Sequence, residues 1–229
     1  MKSAIELEKI SCAWPGSDQA VLNIDSWTLL EGERVFLYGA SGSGKSTLLN
    51  LLAGILQPQQ GRVRVLGQEL GQMGVRARDG FRARHMGFIF QQFNLLPYLT
   101  VETNIQLALH FGRSADKNIR HSIEELMQQL SLPADLLNRQ ASQLSVGQQQ
   151  RVAMVRALIN HPQIIIADEP TSALDSDSRD EFIELLLKCA SVNQSSVVFV
   201  SHDAALADHF DKRVNINDIN SAQVTNHVV

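Results

Sequence analysis

Only two cysteines, Cys12 and Cys189, occur in 229 residues, and they stand isolated and far apart. That spacing excludes a disulfide framework and a cysteine-based zinc site, and it fits a reducing compartment. No apolar stretch approaches the ~20 residues that a membrane-spanning helix needs. Basic residues do not dominate: 20 Lys and Arg stand against 24 Asp and Glu, for a net charge of −4 and a pI near 6.0. No global field therefore draws the chain to nucleic acid. Between Met1 and Lys9 the charges of Lys2, Glu6, Glu8 and Lys9 stand where a secretory leader would be apolar, so no leader is expected. Internal repeats and low-complexity tracts are missing too. Action at a membrane is expected to pass through another chain. What the sequence does have is apolar content. At 44% it supports a substantial core, arranged as one large domain or as one domain with a smaller lobe.

Residues 39–47 carry the most specific pattern. Gly39, Ala40, Ser41, Gly42, Ser43, Gly44, Lys45, Ser46 and Thr47 contain the phosphate-loop spacing G-x-x-x-x-G-K-[ST]. Val35 to Tyr38 before it is a short apolar run of β type. Leu48, Leu49, Leu52, Ile55 and Leu56 follow at helical spacing. Glycines let backbone N–H groups curl around phosphate oxygens, and the N-terminus of the following helix adds a favourable dipole. Lys45 is placed to reach the β- and γ-phosphates of a nucleotide, and Ser46 to give its hydroxyl to Mg²⁺.

Strand patterns sort the rest of the chain. Ala4 to Lys9 and Arg62 to Leu66 alternate apolar and charged residues, which predicts antiparallel strands with one wet face. Ile164 to Ala167 and Val197 to Val200 are continuously apolar, as strands covered on both faces are. Between them, Ser178-x-x-Glu181 reads as a capping box ahead of an apolar helical face at Phe182, Ile183, Leu185 and Leu186. This is a βαβ unit, and with the phosphate loop it points to an α/β nucleotide fold. Ile119, Ile123, Leu126, Met127 and Leu130 predict a helix over 118–131 that Pro133 closes. Residues from about 93 to about 160 are expected to be mainly helical, as a lobe of their own.

In open α/β sheets, ligands bind beyond the carboxyl ends of the strands. The residues there are Gln91 after Phe88–Phe90, Asp168 and Glu169 after Ile164–Ala167, and Ser201 and His202 after Val200. Asp168 is suited to hold Mg²⁺ opposite Ser46. Glu169 is suited to take a proton from an attacking water. His202 can donate to a γ-phosphate and stabilise charge that develops in transfer. Gln91 can orient water or ligate the metal. The alternative for His202 and Gln91 is that polar residues collect at strand ends because turns follow.

Leu144-Ser-Val-Gly-Gln-Gln-Gln-Arg151 opens a helix with apolar positions at Val152, Val155 and Ile159. Ser145-x-x-Gln148 is a capping box. A helix start with a hydroxyl and a glycine is a second anion site, unless Ser145 merely begins the helix.

Taken together, these segments resemble the ATP-binding cassette (ABC) family from about residue 4 to about residue 214. The motifs arrive in the family's order: Walker A at Gly39–Thr47, the Q-loop glutamine Gln91, the signature Leu144–Gln148, Walker B at Ile164–Glu169, the D-loop Ser172–Asp175 and the switch histidine His202. The resemblance implies an α/β P-loop NTPase (RecA-like) core with an antiparallel β lobe and a mainly helical lobe, as one ATP-binding domain over residues 1–229. It implies ATP and Mg²⁺ as cofactors, with Ser46, Gln91 and Asp168 around the metal. It also implies a head-to-tail dimer in which Ser145, Gly147 and Gln148 complete the γ-phosphate site of the partner copy, with Asp175 among the nucleotide-site residues. An integral membrane permease subunit is the implied partner. Nucleic acid is not, and the expected place is the cytoplasmic face of a bacterial inner membrane, in contact with the bilayer only through the permease.

Two positions depart from the common pattern. Val146 stands where the family usually has glycine. Backbone N–H donors survive that change, since only proline removes one. Trp14, ahead of Pro15 and Gly16, takes the place where a tyrosine commonly stacks on adenine, and its larger π face suits the same work. The segments Met86–Pro97 and Leu99–Asn104 look like the ATPases of lipoprotein release, macrolide export and the FtsE type of cell division. In such ATPases the segment after Gln91 receives the permease, so Phe93, Leu95, Leu96 and Tyr98 are expected to offer an apolar docking surface or to pack the helical lobe. Arg76, Arg78, Arg82 and Arg84 form one basic cluster, which suits lipid headgroups or nucleic acid but is read first as a solvated helix face.

Three other functions compete. A soluble ABC ATPase acting on DNA or ribosomes usually carries long insertions or two cassettes, for which 229 residues leave no room. A P-loop kinase of small metabolites needs neither Leu144–Gln148 nor Ser172–Asp175. A cassette that binds without hydrolysing has no use for Glu169 and His202.

Overall fold

Strand chemistry decides how this chain is layered. A computed structural model describes residues 2–13, 19–112, 118–172 and 174–222. In chain order the elements are β1 (Ser3–Ala13), β2 (Ala20–Leu30), β3 (Arg34–Tyr38), α1 (Lys45–Leu52), β4 (Gln60–Val65), β5 (Gln68–Glu69), α2 (Val75–His85) and β6 (Met86–Ile89). Then follow α3 (Val101–Gly112), α4 (Ile119–Gln129), α5 (Val146–Leu158), β7 (Ile164–Asp168), α6 (Ser176–Val192), β8 (Ser196–Val200), β9 (Lys212–Asn215) and α7 (Ile216–Ile219). They form two units, Met1–Arg78 with Ser196–Val229, and Asp79–Ser195.

The first unit holds an antiparallel sheet in the order β2-β1-β4-β5. Ile5, Leu7, Val63 and Val65 alternate inward, while Glu6 faces Arg64 and Glu8 faces Arg62 across the strands. Arg62 meets Glu8 at 3.0 Å and Arg64 meets Glu6 at 3.4 Å. These exposed and half-buried pairs fix register more than they add stability. The register slips between Glu8 and Ser11, where Lys9 turns left-handed at φ 51°. A Cβ on the neighbouring Gly61 would lie 2.3 Å from the Lys9 carbonyl oxygen, so only glycine passes there. The same unit carries β3 between β8 and β9, all parallel, with Phe36, Phe199 and Phe210 in ring contact.

Helix α1 is shorter than the periodicity of its leucines suggests. It ends at Leu52 because Gly54 turns left-handed at φ 66°. The Gly54 N–H then donates to Leu51 and the Ile55 N–H to Asn50, which closes a Schellman motif. Ile55, expected on the helix face, is 56% exposed.

In the second unit β6 and β7 pair in parallel, from Met86 opposite Ile164 to Ile89 opposite Ala167. Ile164 to Ala167 are buried, as a continuous apolar run should be. Helix α5 packs on β6 and on α3. The approach to β6 is close enough that a Cβ at Gly87 would lie 2.4 Å from the carbonyl oxygen of Ala157. Helix α4 begins after Asn118 and ends at Gln129 with Leu130 as its C-cap, within two residues of the expected 118–131. Helix α6 begins earlier than its apolar face suggests. Asp175, not Ser178, is the N-cap, because its carboxylate accepts both the backbone N–H and the hydroxyl of Ser178 at 2.9 Å. Those two bonds hold the Asp175 carboxyl below the usual carboxylate range.

Candidate functional site

The loop between β3 and α1 turns on glycine. Gly42 and Gly44 are left-handed, at φ 77° and 96°. Gly44 is the N-cap of α1 and gives no side-chain bond to the helix start, which also has no acidic residue in its first turn. The first N–H groups of the helix are therefore suited to an anion, with no capping side chain in competition. Ser43 closes the loop by donating its hydroxyl to Ala40 at 2.7 Å. Lys45 folds back over the loop, and its Nζ donates to the carbonyl oxygens of Gly39 and Ala40, each at 2.8 Å. An ammonium has three protons, so a third remains for a phosphate oxygen. Ser41, Gly42 and Ser46 are exposed, whereas Ser43, Gly44 and Thr47 are buried beneath the rim.

The parallel pairing of β3 and β8 sets His202 near this loop along the chain's own register. Leu37 lies opposite Val200, and the Ser201 N–H donates to Leu37 at 3.3 Å. His202 follows Ser201 and is exposed. Trp14 lies outside the described residues, as does Ala173 of the D-loop segment.

The second unit groups the other motifs. Pairing of β6 with β7 brings their carboxyl ends side by side, so that Gln91, two residues past β6, shares an edge with Asp168 and Glu169. Glu169 has the left-handed φ of 45°, which for a non-glycine residue costs free energy that the surrounding structure must hold. The segment beyond Gln91 is pinned from below. Phe93 and Asn94 are also left-handed, at φ 56° and 50°, and the Arg156 guanidinium donates to both of their carbonyl oxygens, at 2.6 and 2.5 Å. Burial pushes the Arg156 pKa down from its ordinary value. Asn104 adds a second clamp: its amide accepts from the Leu96 N–H at 2.8 Å and donates to the carbonyls of Leu96 and Thr100. Of the apolar residues expected to form a docking surface, Phe93 is buried and Leu95 half-buried, and only Leu96 and Tyr98 are exposed.

Helix α5 opens on Ser145. Its Oγ accepts from the Gln148 N–H at 3.3 Å, and the Gln148 side chain accepts from the Ser145 N–H at 3.0 Å. The hydroxyl proton of Ser145 is not used in that capping box, so the residue begins the helix and can still donate to an anion. Val146 is exposed, and nothing lies within 4 Å of a Cβ placed on Gly147. The helix is tied to its surroundings by side chains that the motif patterns do not single out. Gln150 is buried and donates to the carbonyl of Pro170 at 2.8 Å. Arg151 pairs with Glu181 of α6 at 2.6 Å. A glutamine in the apolar stripe of α5 is the sequence signal for such a tie; Arg156 and Asn104 give no comparable local signal.

A family model described as ABC transporter matches residues 22–172. An uncharacterized ABC transporter ATP-binding protein of Thermotoga maritima is 38% identical over 223 residues, which covers 95% of this chain and 93% of the relative. The macrolide export ATP-binding/permease protein MacB of Photorhabdus laumondii is 39% identical over 220 residues, 95% of this chain. The chain spans about a third of that relative, 34% of its length. Among solved structures, the dimeric post-hydrolysis state of the ATP-binding cassette MJ0796 bound to ADP and Pi superposes with a TM-score of 0.83 at 35% identity, covering 92% of this chain and 93% of the other. The cbiO1 structure from Clostridium perfringens, at 22% identity and a TM-score of 0.83, shares the fold.

Proposed function

This chain belongs to the ABC transporter family, and from that membership we propose that it splits ATP into ADP and phosphate as a head-to-tail dimer and powers a separate membrane permease. The observation that carries this reading is the loop at Gly39–Thr47, where two left-handed glycines open the start of α1 and Lys45 lies across the Gly39 and Ala40 carbonyls. Such a cradle suits the β- and γ-phosphates of a nucleotide.

The named residues divide the work. Backbone N–H groups from Ala40 to Thr47 hold phosphate oxygens, and Lys45 spans the β- and γ-phosphates. Ser46, Gln91 and Asp168 offer hard oxygen donors, the set that Mg²⁺ accepts together with phosphate oxygens and water. Among the described residues no group of three or more His, Cys, Asp and Glu would hold a metal unaided, which fits an ion that arrives with the nucleotide. When bound, that ion neutralises charge on the phosphates. Gln91 orients the attacking water and Glu169 takes its proton. Water oxygen bonds to the γ-phosphorus as the bond to the bridging oxygen breaks, and ADP keeps that electron pair. His202 donates to a γ-oxygen and stabilises the developing charge. Ser145, Gly147 and Gln148 close the partner copy's nucleotide site, with Asp175 at the same boundary. ATP acts as the dimer's adhesive only if it binds the closed state better than the open one.

Transport is favoured over action on nucleic acid because the named relatives are transporter and export proteins. Among the described residues no helix is long and apolar enough to cross a membrane. Family membership is the ground for placing the chain at the cytoplasmic face of the membrane, with the permease docked near Leu96 and Tyr98. The test is phosphate release from ATP by the purified chain with its permease, in parallel with Glu169→Gln. That variant should bind ATP, accumulate as a dimer by light scattering and stop turning over. Turnover at the normal rate would remove Glu169 as the base. Co-purification with nucleic acid in place of a permease would overturn the transport reading.

A further inference from the structure

The phosphate loop is held at both ends by the C-terminal segment, and we propose that Asn220 is a positioning residue for nucleotide binding. This inference rests on the reading of Gly39–Thr47 as a nucleotide cradle. Asn220 is buried, and every hydrogen-bonding valence of its side-chain amide is used. Its Oδ1 accepts from the Asn23 N–H at 2.7 Å and from the Ala222 N–H at 3.2 Å. Its Nδ2 donates to the Val21 carbonyl at 3.0 Å and to the Ser43 carbonyl at 3.4 Å. Two N–H groups on one side and two carbonyls on the other settle which way the amide faces. One side chain thus joins β2 to the loop residue immediately before Gly44.

The contact is as much steric as polar. A Cβ at Gly44 would lie 2.9 Å from Leu22 Cδ2, 3.2 Å from the Val21 carbonyl and 3.5 Å from Asn220 Nδ2. At the other end of the loop, a Cβ at Gly39 would lie 2.6 Å from Ile216 Cγ2 of α7. Helix α7 is short, and it is oriented by the Asn215 side chain accepting from the Asn217 N–H at 3.0 Å and by the Asn220 N–H donating to Ile216 at 2.8 Å. Ile216 and Asn220 therefore sit one turn apart, one against each hinge glycine. The Ser43 peptide that Asn220 grips is continuous with the N–H groups that would meet phosphate. Its orientation decides where Gly44 and Lys45 point. Phosphate contacts lose much of their value when a donor is misplaced by about 1 Å.

Asn220→Asp separates this role from simple packing. It keeps the shape and the acceptor for Asn23 and Ala222, but turns a charged oxygen toward the Val21 and Ser43 carbonyls. In the isolated full chain, titrated with fluorescent ATP and fluorescent ADP, the dissociation constants of both should rise about five- to thirtyfold, the order expected when two hydrogen bonds are replaced by repulsion. Hydrogen exchange at residues 40–44 should quicken in the same variant. Asn220→Ser, smaller and neutral, should give an intermediate loss and covers the case in which the aspartate variant does not fold. Ser221→Ala removes a hydroxyl bond to the same Asn23 at 3.1 Å without touching the loop, and should leave both affinities unchanged. Folded Asn220 variants with wild-type affinities for both nucleotides would overturn the inference while leaving the cradle reading intact. Failure of the wild-type chain to bind nucleotide would instead remove the cradle reading itself.

Discussion

Gln150 and Pro170 are joined by a buried hydrogen bond, the glutamine amide donating to the proline carbonyl at 2.8 Å. Gln150 stands two residues past Gln148 on α5, and Pro170 follows Glu169. The helix that carries Ser145 and Gly147 is thereby fastened to the peptide beside the proposed base. In the proposed head-to-tail dimer those two groups of residues would serve different nucleotides. In that arrangement the Gln150 bond would link the surroundings of the two nucleotides.

Gln150→Leu is expected to lower the rate of ATP cleavage about tenfold while leaving the affinity of the monomer for ATP unchanged. The bond that it removes also leaves a buried carbonyl unpaired, at a cost of about 1–3 kcal/mol. Single-turnover hydrolysis measured beside a urea melt separates the two effects. An unaltered rate in a destabilised protein would make the tie purely structural.

Lys45→Ala should weaken ATP binding about ten- to a hundredfold, the loss expected of a charge-assisted contact. It also frees the carbonyls of Gly39 and Ala40 that Nζ now holds. Titration with a fluorescent ATP gives the number, and affinity equal to wild type would count against the loop assignment.

For Ser145→Arg, binding of ATP by the monomer should stay normal while the ATP-induced dimer disappears. The capping box loses its acceptor, and a long cation replaces a hydroxyl at an exposed helix start. Light scattering with ATP present in the Glu169→Gln background reads the outcome directly. A dimer there would refute the composite site.

Gly87→Ala tests the packing of β6 on α5. The added methyl would lie 2.4 Å from the Ala157 carbonyl oxygen, so backbone has to move. Overpacking of that kind costs about 1–3 kcal/mol. The thermal midpoint should drop by several degrees, and an unchanged midpoint would mean that the two elements part without strain.

The phosphate loop, the carboxylates at the end of β7 and the capping box of α5 were legible because each is a local pattern. Glycine spacing, a continuous apolar run and a Ser-x-x-Gln pair need no knowledge of distant residues. Two boundaries misled for equally local reasons. Ser178-x-x-Glu181 satisfies the capping pattern, yet Asp175 wins because one carboxylate takes two bonds from Ser178. Ile55 and Leu56 continue the helical period of α1, yet Gly54 ends it first. For Phe93 the sequence left docking surface and lobe packing open, and the ring is buried, while Arg156 holds its carbonyl. Asn220 had no local signature at all. Its carbonyl partners lie 199 and 177 positions away, and only the folded chain brings them together.

The guanidinium under Phe93 and Asn94 has a consequence for how Gln91 can be moved. Arginine stays protonated at every pH a cell reaches, even where burial lowers its pKa. Acidity is therefore no key to this latch. A permease docked at the exposed Leu96 and Tyr98, as proposed, would have to work against both guanidinium bonds to shift this segment.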